Sequence, residues 1–140
     1  MRIFLGGTCA RSKWREELIP LLEQLNIEYF NPVVKNWTSE CQQIEEDEKN
    51  NKCDCHLYVI TKEIMGTYSI AEIINSAWQA IVYGTTVNKI IFVVLDEGTW
   101  EKHDRKSFDA VMRLTKDIAP NNSITGYVKN MKELVDLINN

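Results

Sequence analysis

Two carboxylates stand where chemistry is possible, Glu72 and Asp54. Glu72 closes the stretch Gly66-Thr67-Tyr68-Ser69-Ile70-Ala71-Glu72. Before it, Leu57-Tyr58-Val59-Ile60-Thr61 reads as a buried strand. After it, Ile73, Ile74, Ala77, Trp78, Ile81 and Val82 recur at helical spacing. This predicts a helix from about Ser69 to Tyr83, with Glu72 in its first turn just beyond a strand end. In open α/β sheets that end of the strands is where ligands bind. A carboxylate there can serve as nucleophile or as acid–base group. It can equally be a cap: Ser69 lies three residues before Glu72, the spacing of a capping box, and acidic residues favour first helical turns in any case. Residue types alone leave both readings open. Asp54 opens the third predicted strand and reads as a polar boundary residue unless a site lies nearby.

The elements that must position these groups follow from apolar patterning. Ile3-Phe4-Leu5 is a short buried strand ended by Gly6-Gly7, a turn or a place of close backbone approach. The glycine pattern is neither G-x-G-x-x-G nor a P-loop. Trp14, Leu18, Leu21, Leu22 and Leu25 mark a first helix, with Ser12 as its cap and Pro20 inside it. Ile27 to Phe30 is a second strand, stopped by Asn31-Pro32. Trp37 follows in a loop, as core or as the wall of a flat ligand site. Thr38 or Ser39 caps a polar helical segment to Lys52, in which Glu45, Glu46 and Glu48 read as a wet face. Asp54 to Thr61 is the third strand and Asn88 to Asp96 the fourth. A helix spans about Glu101 to Ile118. An edge strand from Ser123 to Tyr127 and a last helix carrying Met131, Leu134, Val135 and Ile138 complete the chain.

Strand and helix thus alternate five times over 140 residues, which predicts one domain over residues 1–140. Its fold class is a three-layer α/β/α sandwich with a five-stranded parallel sheet, flavodoxin-like (Rossmann-like), in the order 2-1-3-4-5. That order sets strands one and three side by side at the switch point, so Gly6-Gly7-Thr8 and the Gly66–Glu72 stretch face one cleft. Apolar residues make up 44% of the sequence and the formal net charge is -4. That is enough apolar residue for a core, and no broad basic surface for a nucleic-acid polymer is expected. No apolar run is long enough to span a membrane, and no export signal is read at the start, so a cytoplasmic location is expected. On that basis the four cysteines are expected as buried reduced thiols. Cys53 and Cys55 share one strand face and His56 the other, which argues against a metal site.

The ordered set Ile3-Phe4-Leu5-Gly6-Gly7, Phe30-Asn31-Pro32 with Trp37, Cys53-Asp54, and Tyr68-Ser69-Ile70-Ala71-Glu72 resembles the nucleoside 2-deoxyribosyltransferase family, in particular its small phage and bacterial branch. The likeness covers roughly the first half of the chain. It implies that Glu72 is a nucleophile attacking the anomeric carbon of a 2-deoxyribonucleoside, and that a free base then takes the sugar. It implies that Asp54 binds the base or assists its protonation. Gly6, Gly7 and Thr8 would lie against sugar or base, Trp37 would stack on the base, and Tyr68 and Ser69 would orient Glu72 or bind the sugar. No cofactor and no metal is implied. A homodimer or larger assembly is, with Trp78, Tyr83 and Trp100 as interface aromatics. Some members carry a second acid six residues before the nucleophile; Gly66 stands there. Two alternatives stay open: a 5′-monophosphate N-glycosidase using Ser69 and the helix start to hold phosphate, and a catalytically silent nucleotide-binding module.

Overall fold

The computed structural model describes residues 1–9, 12–63, 66–82 and 84–140. Five strands form one parallel sheet: β1 (Arg2–Gly7), β2 (Glu28–Phe30), β3 (Cys55–Ile60), β4 (Lys89–Leu95) and β5 (Ser123–Val128), in the order β2-β1-β3-β4-β5. Five α-helices, α1 (Trp14–Gln24), α2 (Ser39–Asp47), α3 (Thr67–Ile81), α4 (Lys102–Ile118) and α5 (Met131–Asn139), connect or follow them. The expected three-layer α/β/α architecture and its strand order are therefore the observed ones. No helix among the described residues is long and apolar enough to cross a membrane.

Strand alternation divides the core in two. Ile3, Leu5, Leu57, Val59, Ile91 and Val93 point to one face and pack under α1 and α5. Tyr58, Ile60, Phe92 and Val94 point to the other, against Ile73 of α3 and Phe108 and Met112 of α4. Near-continuous apolar strands are what a sheet covered on both faces requires. β1 sits between β2 and β3, so the chain leaves it in one direction and returns in the other. The crevice of the fold opens at that reversal, above the carboxyl ends of β1 and β3.

Local structure departs from expectation at four places that bear on this crevice. Ser12 does not cap α1: the first helical residue follows Lys13, and the Ser12 hydroxyl instead accepts a hydrogen bond from Thr61 Oγ1, 3.1 Å. The polar segment after Thr38 is capped as expected, by the Thr38 hydroxyl accepting from the Cys41 N–H. It then widens into a π turn over Glu48–Lys52, in which the Cys53 N–H reaches back to the Glu48 carbonyl, 2.7 Å. Glu48 does not belong to a wet face. It is buried and accepts from Arg2 Nε at 2.9 Å and Nη2 at 3.0 Å. Finally, α3 starts two residues early, at Thr67 after a left-handed Gly66 with φ 64°. Glu72 therefore lies in the second turn, and Ser69 is not a cap.

Two of the four cysteines are buried as expected, Cys53 and Cys55; Cys9 is exposed and Cys41 is partly so. Burial pushes the Cys53 and Cys55 thiols up to about 12, so both are inert at neutral pH. Trp100 is not a surface aromatic: it packs edge-on against Phe108 and donates its indole N–H to the Leu95 carbonyl at 2.8 Å. Tyr83 lies outside the described residues.

Candidate active site

A cavity of about 500 Å³ occupies the crevice. Its floor and one side come from the end of β1 and the loop after it, through Phe4, Gly6, Gly7, Thr8 and Cys9. The loop after β2 gives an apolar wall of Pro32, Val33, Val34 and Trp37. The start of α3 gives Gly66, Thr67, Tyr68, Ser69 and Glu72, while α2 contributes Glu45 and α1 contributes Arg15. Of the residues singled out from the sequence, Gly6, Gly7, Thr8, Trp37, Tyr68, Ser69 and Glu72 are brought together here.

The two glycines are fixed by the sheet. Gly7 pairs with Val59 across β1 and β3 and has φ 111°; a Cβ at that position would lie 2.2 Å from the Val59 carbonyl oxygen. A Cβ on Gly6 would lie 2.5 Å from the Tyr58 ring. So the close approach these glycines permit is that of β3 itself. It lets the chain turn under the cavity, where the Thr8 N–H bonds the Val59 carbonyl at 2.9 Å and the Thr8 hydroxyl accepts from the Thr61 N–H at 3.0 Å.

Arg15 braces the same turn. Its guanidinium is buried and donates to the carbonyls of Leu5 (3.0 and 2.9 Å) and Thr8 (2.8 Å). Trp14 Nε1 donates to the Thr8 carbonyl as well, at 2.8 Å. Burial lowers the Arg15 pKa from its ordinary value. An arginine on an apolar helix face was the sequence signal for this brace, but nothing in its spacing says which carbonyls it will meet.

Glu72 points from α3 toward the π turn after α2, where its Oε2 accepts from Lys49 Nζ at 2.5 Å. Both side chains are largely buried, 13% and 15% exposed. Among the described residues its carboxylate makes no hydrogen bond to the helix start, and the capping-box reading of Glu72 is overturned. Lys49 Nζ also lies 4.7 Å from the centre of the Phe4 ring, a cation–π distance.

Glu45, expected on a wet face, is instead a residue of the cavity. It sits one helical turn before Lys49, is half-buried, and lines the cavity opposite Glu72. Burial raises its pKa, and the negative charges of Glu72 and Glu46 add to this against Lys49 and Arg15. Spacing of four from Lys49 was visible, but the segment has several glutamates and only packing shows which one turns inward.

Asp54 is not brought to the cavity. It precedes β3, at the amino end of the sheet, and its Oδ1 accepts the Arg2 backbone N–H at 2.8 Å. The Asp54 carbonyl accepts from the Asn88 and Lys89 N–H groups. These bonds tie the starts of β1, β3 and β4 together, at the edge of the sheet opposite the crevice.

Beneath the cavity runs a buried polar chain. Tyr58 OH and His56 Nδ1 each lie 2.8 Å from Ser76 Oγ, and His56 Nε2 lies 2.7 Å from the Lys49 carbonyl oxygen. A carbonyl only accepts, so Nε2 carries the proton and Nδ1 accepts from Ser76, whose oxygen then accepts from Tyr58. Burial drives His56 down to about 4, which keeps the ring neutral at physiological pH.

Comparison with known proteins agrees with this geometry. A family model described as nucleoside 2-deoxyribosyltransferase like matches residues 1–97. The chain belongs to that family. The match takes in β1 to β4 and every cavity-lining residue named above, and ends before α4. Comparison with curated proteins and with solved structures finds no match. Membership gives a nucleoside-directed, glycosyltransferase-like protein acting on small-molecule substrates.

Proposed function

We propose that this protein cleaves the N-glycosidic bond of a 2-deoxyribonucleoside through Glu72 and passes the deoxyribosyl group to a second base. The observation that carries this reading is the placement of Glu72: a carboxylate among the residues that line the cavity, hydrogen-bonded by Lys49 and not the cap of its helix. A Glu72 oxygen attacks the anomeric carbon. The C–N bond breaks, its electron pair leaves with the base nitrogen, and a glycosyl ester forms. The incoming base then displaces the carboxylate from the same carbon, which returns Glu72 to its starting state. Splitting one displacement into two easier ones is what a carboxylate nucleophile offers.

The departing base needs a proton. Glu45 is the carboxyl group in position to supply it and, in the second half-reaction, to take the proton that the incoming base gives up, because it lines the cavity and burial raises its pKa. Glu45 takes the role that the family likeness implies for Asp54, whose carboxylate lies at the other end of β3. Trp37 and the apolar Pro32–Val34 wall offer the flat surface on which a base stacks.

One observation favours a second reading, hydrolysis of a 5′-monophosphate. The first turn of α3 lines the cavity with Thr67, Tyr68 and the buried Ser69, the place where a helix presents free N–H groups to an anion. A chromatographic product assay separates the two. Deoxynucleosides and their 5′-monophosphates are incubated with and without a second base, beside Glu72→Ala. The proposal predicts a new deoxynucleoside only when the second base is present, and none with Glu72→Ala. Free base and sugar phosphate from monophosphates alone would favour the second reading, and turnover that survives Glu72→Ala would overturn the nucleophile.

A further inference from the structure

The π turn at the end of α2 has a consequence for the chemistry of Glu72. A lysine on a polar, solvated helix ordinarily extends into water. Lys49 does not: its ammonium is turned inward, 2.5 Å from Glu72 Oε2 and over the Phe4 ring. The turn that carries it is fixed at three points. His56 donates to the Lys49 carbonyl at 2.7 Å, the Cys53 N–H closes the wide turn on the Glu48 carbonyl at 2.7 Å, and the Glu48 carboxylate is held by Arg2. Single π turns inside α-helices are uncommon and concentrate at functional sites. Here the widened turn sends one side chain, Lys49, to Glu72 and the next-door Glu48 to Arg2 of β1.

From this geometry we infer that Lys49 is a positioning residue for Glu72: it holds Oε2 so that the other carboxylate oxygen, Oε1, is the one presented to the anomeric carbon. The inference rests on the reading of Glu72 as nucleophile and specifies how that nucleophile is aimed. Among the described residues, the Lys49 ammonium is the one hydrogen-bond donor to the Glu72 carboxylate. The last torsion of a glutamate is broad and roughly two-fold. Without a partner the carboxylate would rotate and exchange its oxygens, and displacement at carbon depends on holding the reacting atoms near 3 Å and in line. The ammonium also offsets the charge of a carboxylate taken largely out of water. When the ester forms, Glu72 loses its charge and Oε2 becomes the ester carbonyl oxygen, which still accepts from Lys49. The clamp therefore persists through both half-reactions. His56 acts one step further back, by holding the backbone from which Lys49 reaches.

The arrangement predicts a specific kinetic signature. Lys49 bonds Glu72 and is not among the residues that line the cavity, so its loss should lower kcat and leave KM nearly unchanged. The test is steady-state transfer between two deoxynucleosides and bases by wild type, Lys49→Met and Lys49→Ala, the last with and without n-propylammonium, which replaces the severed ammonium arm. The expected results are a fall in kcat of about 30-fold or more for Lys49→Met with KM within about threefold, and partial recovery of Lys49→Ala by propylammonium but not by propanol. Should Lys49→Met not fold, the amine rescue of Lys49→Ala decides the question by itself. A variant with wild-type kcat, or a loss that appears in KM alone, or no recovery by the amine, would overturn the inference while leaving Glu72 as nucleophile. Wild type without any turnover would remove the nucleophile reading, and this inference with it.

Discussion

At the scale of single residues, two carboxyl groups change places. Asp54 and Glu45 are both acidic residues preceding β3, and Cys53-Asp54 falls at the position the family likeness favours. The structure separates them by environment. Asp54 accepts a backbone N–H at the amino end of the sheet, while Glu45 stands in the cavity with its pKa raised by burial. Glu45→Gln should therefore lower turnover by about 10² to 10⁴-fold, the usual worth of a general acid. Because its pKa is raised, the protonated form that the departing base needs persists to higher pH. Activity that depends on it should fall as pH rises through that pKa, and this limb should vanish in Glu45→Gln. Asp54→Ala should instead cost stability, about 1.5–3 kcal/mol for a lost hydrogen bond to a charged acceptor, and leave kcat within a few-fold. Parallel denaturation and turnover measurements on the two variants check this; loss of activity in Asp54→Ala without loss of stability would reverse the assignment. Glu72 shows the opposite relation between sequence and structure. Its type and setting marked it, but whether it caps the helix turned on where α3 begins. A left-handed Gly66 moved that start by two residues and sent the carboxylate to Lys49.

At the scale of elements, the inner strands β1, β3 and β4 were legible because each is a largely apolar run, and α1, α3, α4 and α5 because their apolar residues recur with one period. The π turn was not legible. It inserts into a polar segment with almost no apolar stripe, so no periodic signal breaks there; its partner Arg2 lies 46 residues away, and His56, though only seven residues from Lys49, meets it only once β3 is in the sheet. His56 illustrates the cost and use of such a link. The ring is fully buried and neutral, with a pKa driven from an ordinary 6.5 to about 4. Between those values the unfolded chain binds the proton and the folded chain does not. Stability is thus fully present above about pH 6.5 and is lost progressively as pH falls toward 4, by roughly 3 kcal/mol at most from this group. Denaturant unfolding at steps from pH 7 to 4.5 should show His56→Gln less sensitive to acid than wild type. Identical pH dependence in the two proteins would contradict the buried neutral ring.

At the scale of the whole molecule, the crevice follows from topology. Strand order 2-1-3-4-5 puts the turn after β1 opposite the start of α3 whatever residues fill them, and the sequence then supplies glycines where β3 passes within a Cβ of the chain. Surface aromatics were harder to place. Trp100 proves to be packed on Phe108, whereas Trp78, which shares the helical period of buried Ile73 and Ala77, is 53% exposed. Tyr68, Ala71, Asn75 and Trp78 form one outward stripe of α3 that begins at the cavity mouth, with Tyr68 76% exposed. Such a face fits a second copy of the chain closing the site. Sedimentation should accordingly give a dimer or larger species for wild type and a smaller one for Trp78→Lys; a monomeric wild type would contradict this.

The central claim is that Glu72 carries the sugar between two bases. It is tested most directly with a 2-fluoro-arabinosyl nucleoside, in which fluorine slows both steps by opposing positive charge at the anomeric carbon and so lets the ester accumulate. Intact-mass measurement and peptide mapping then locate the label. The account predicts one fluorinated pentosyl group per chain, on Glu72, removed by adding an acceptor base. A label on another residue, or base release with no covalent adduct at any time, would contradict it.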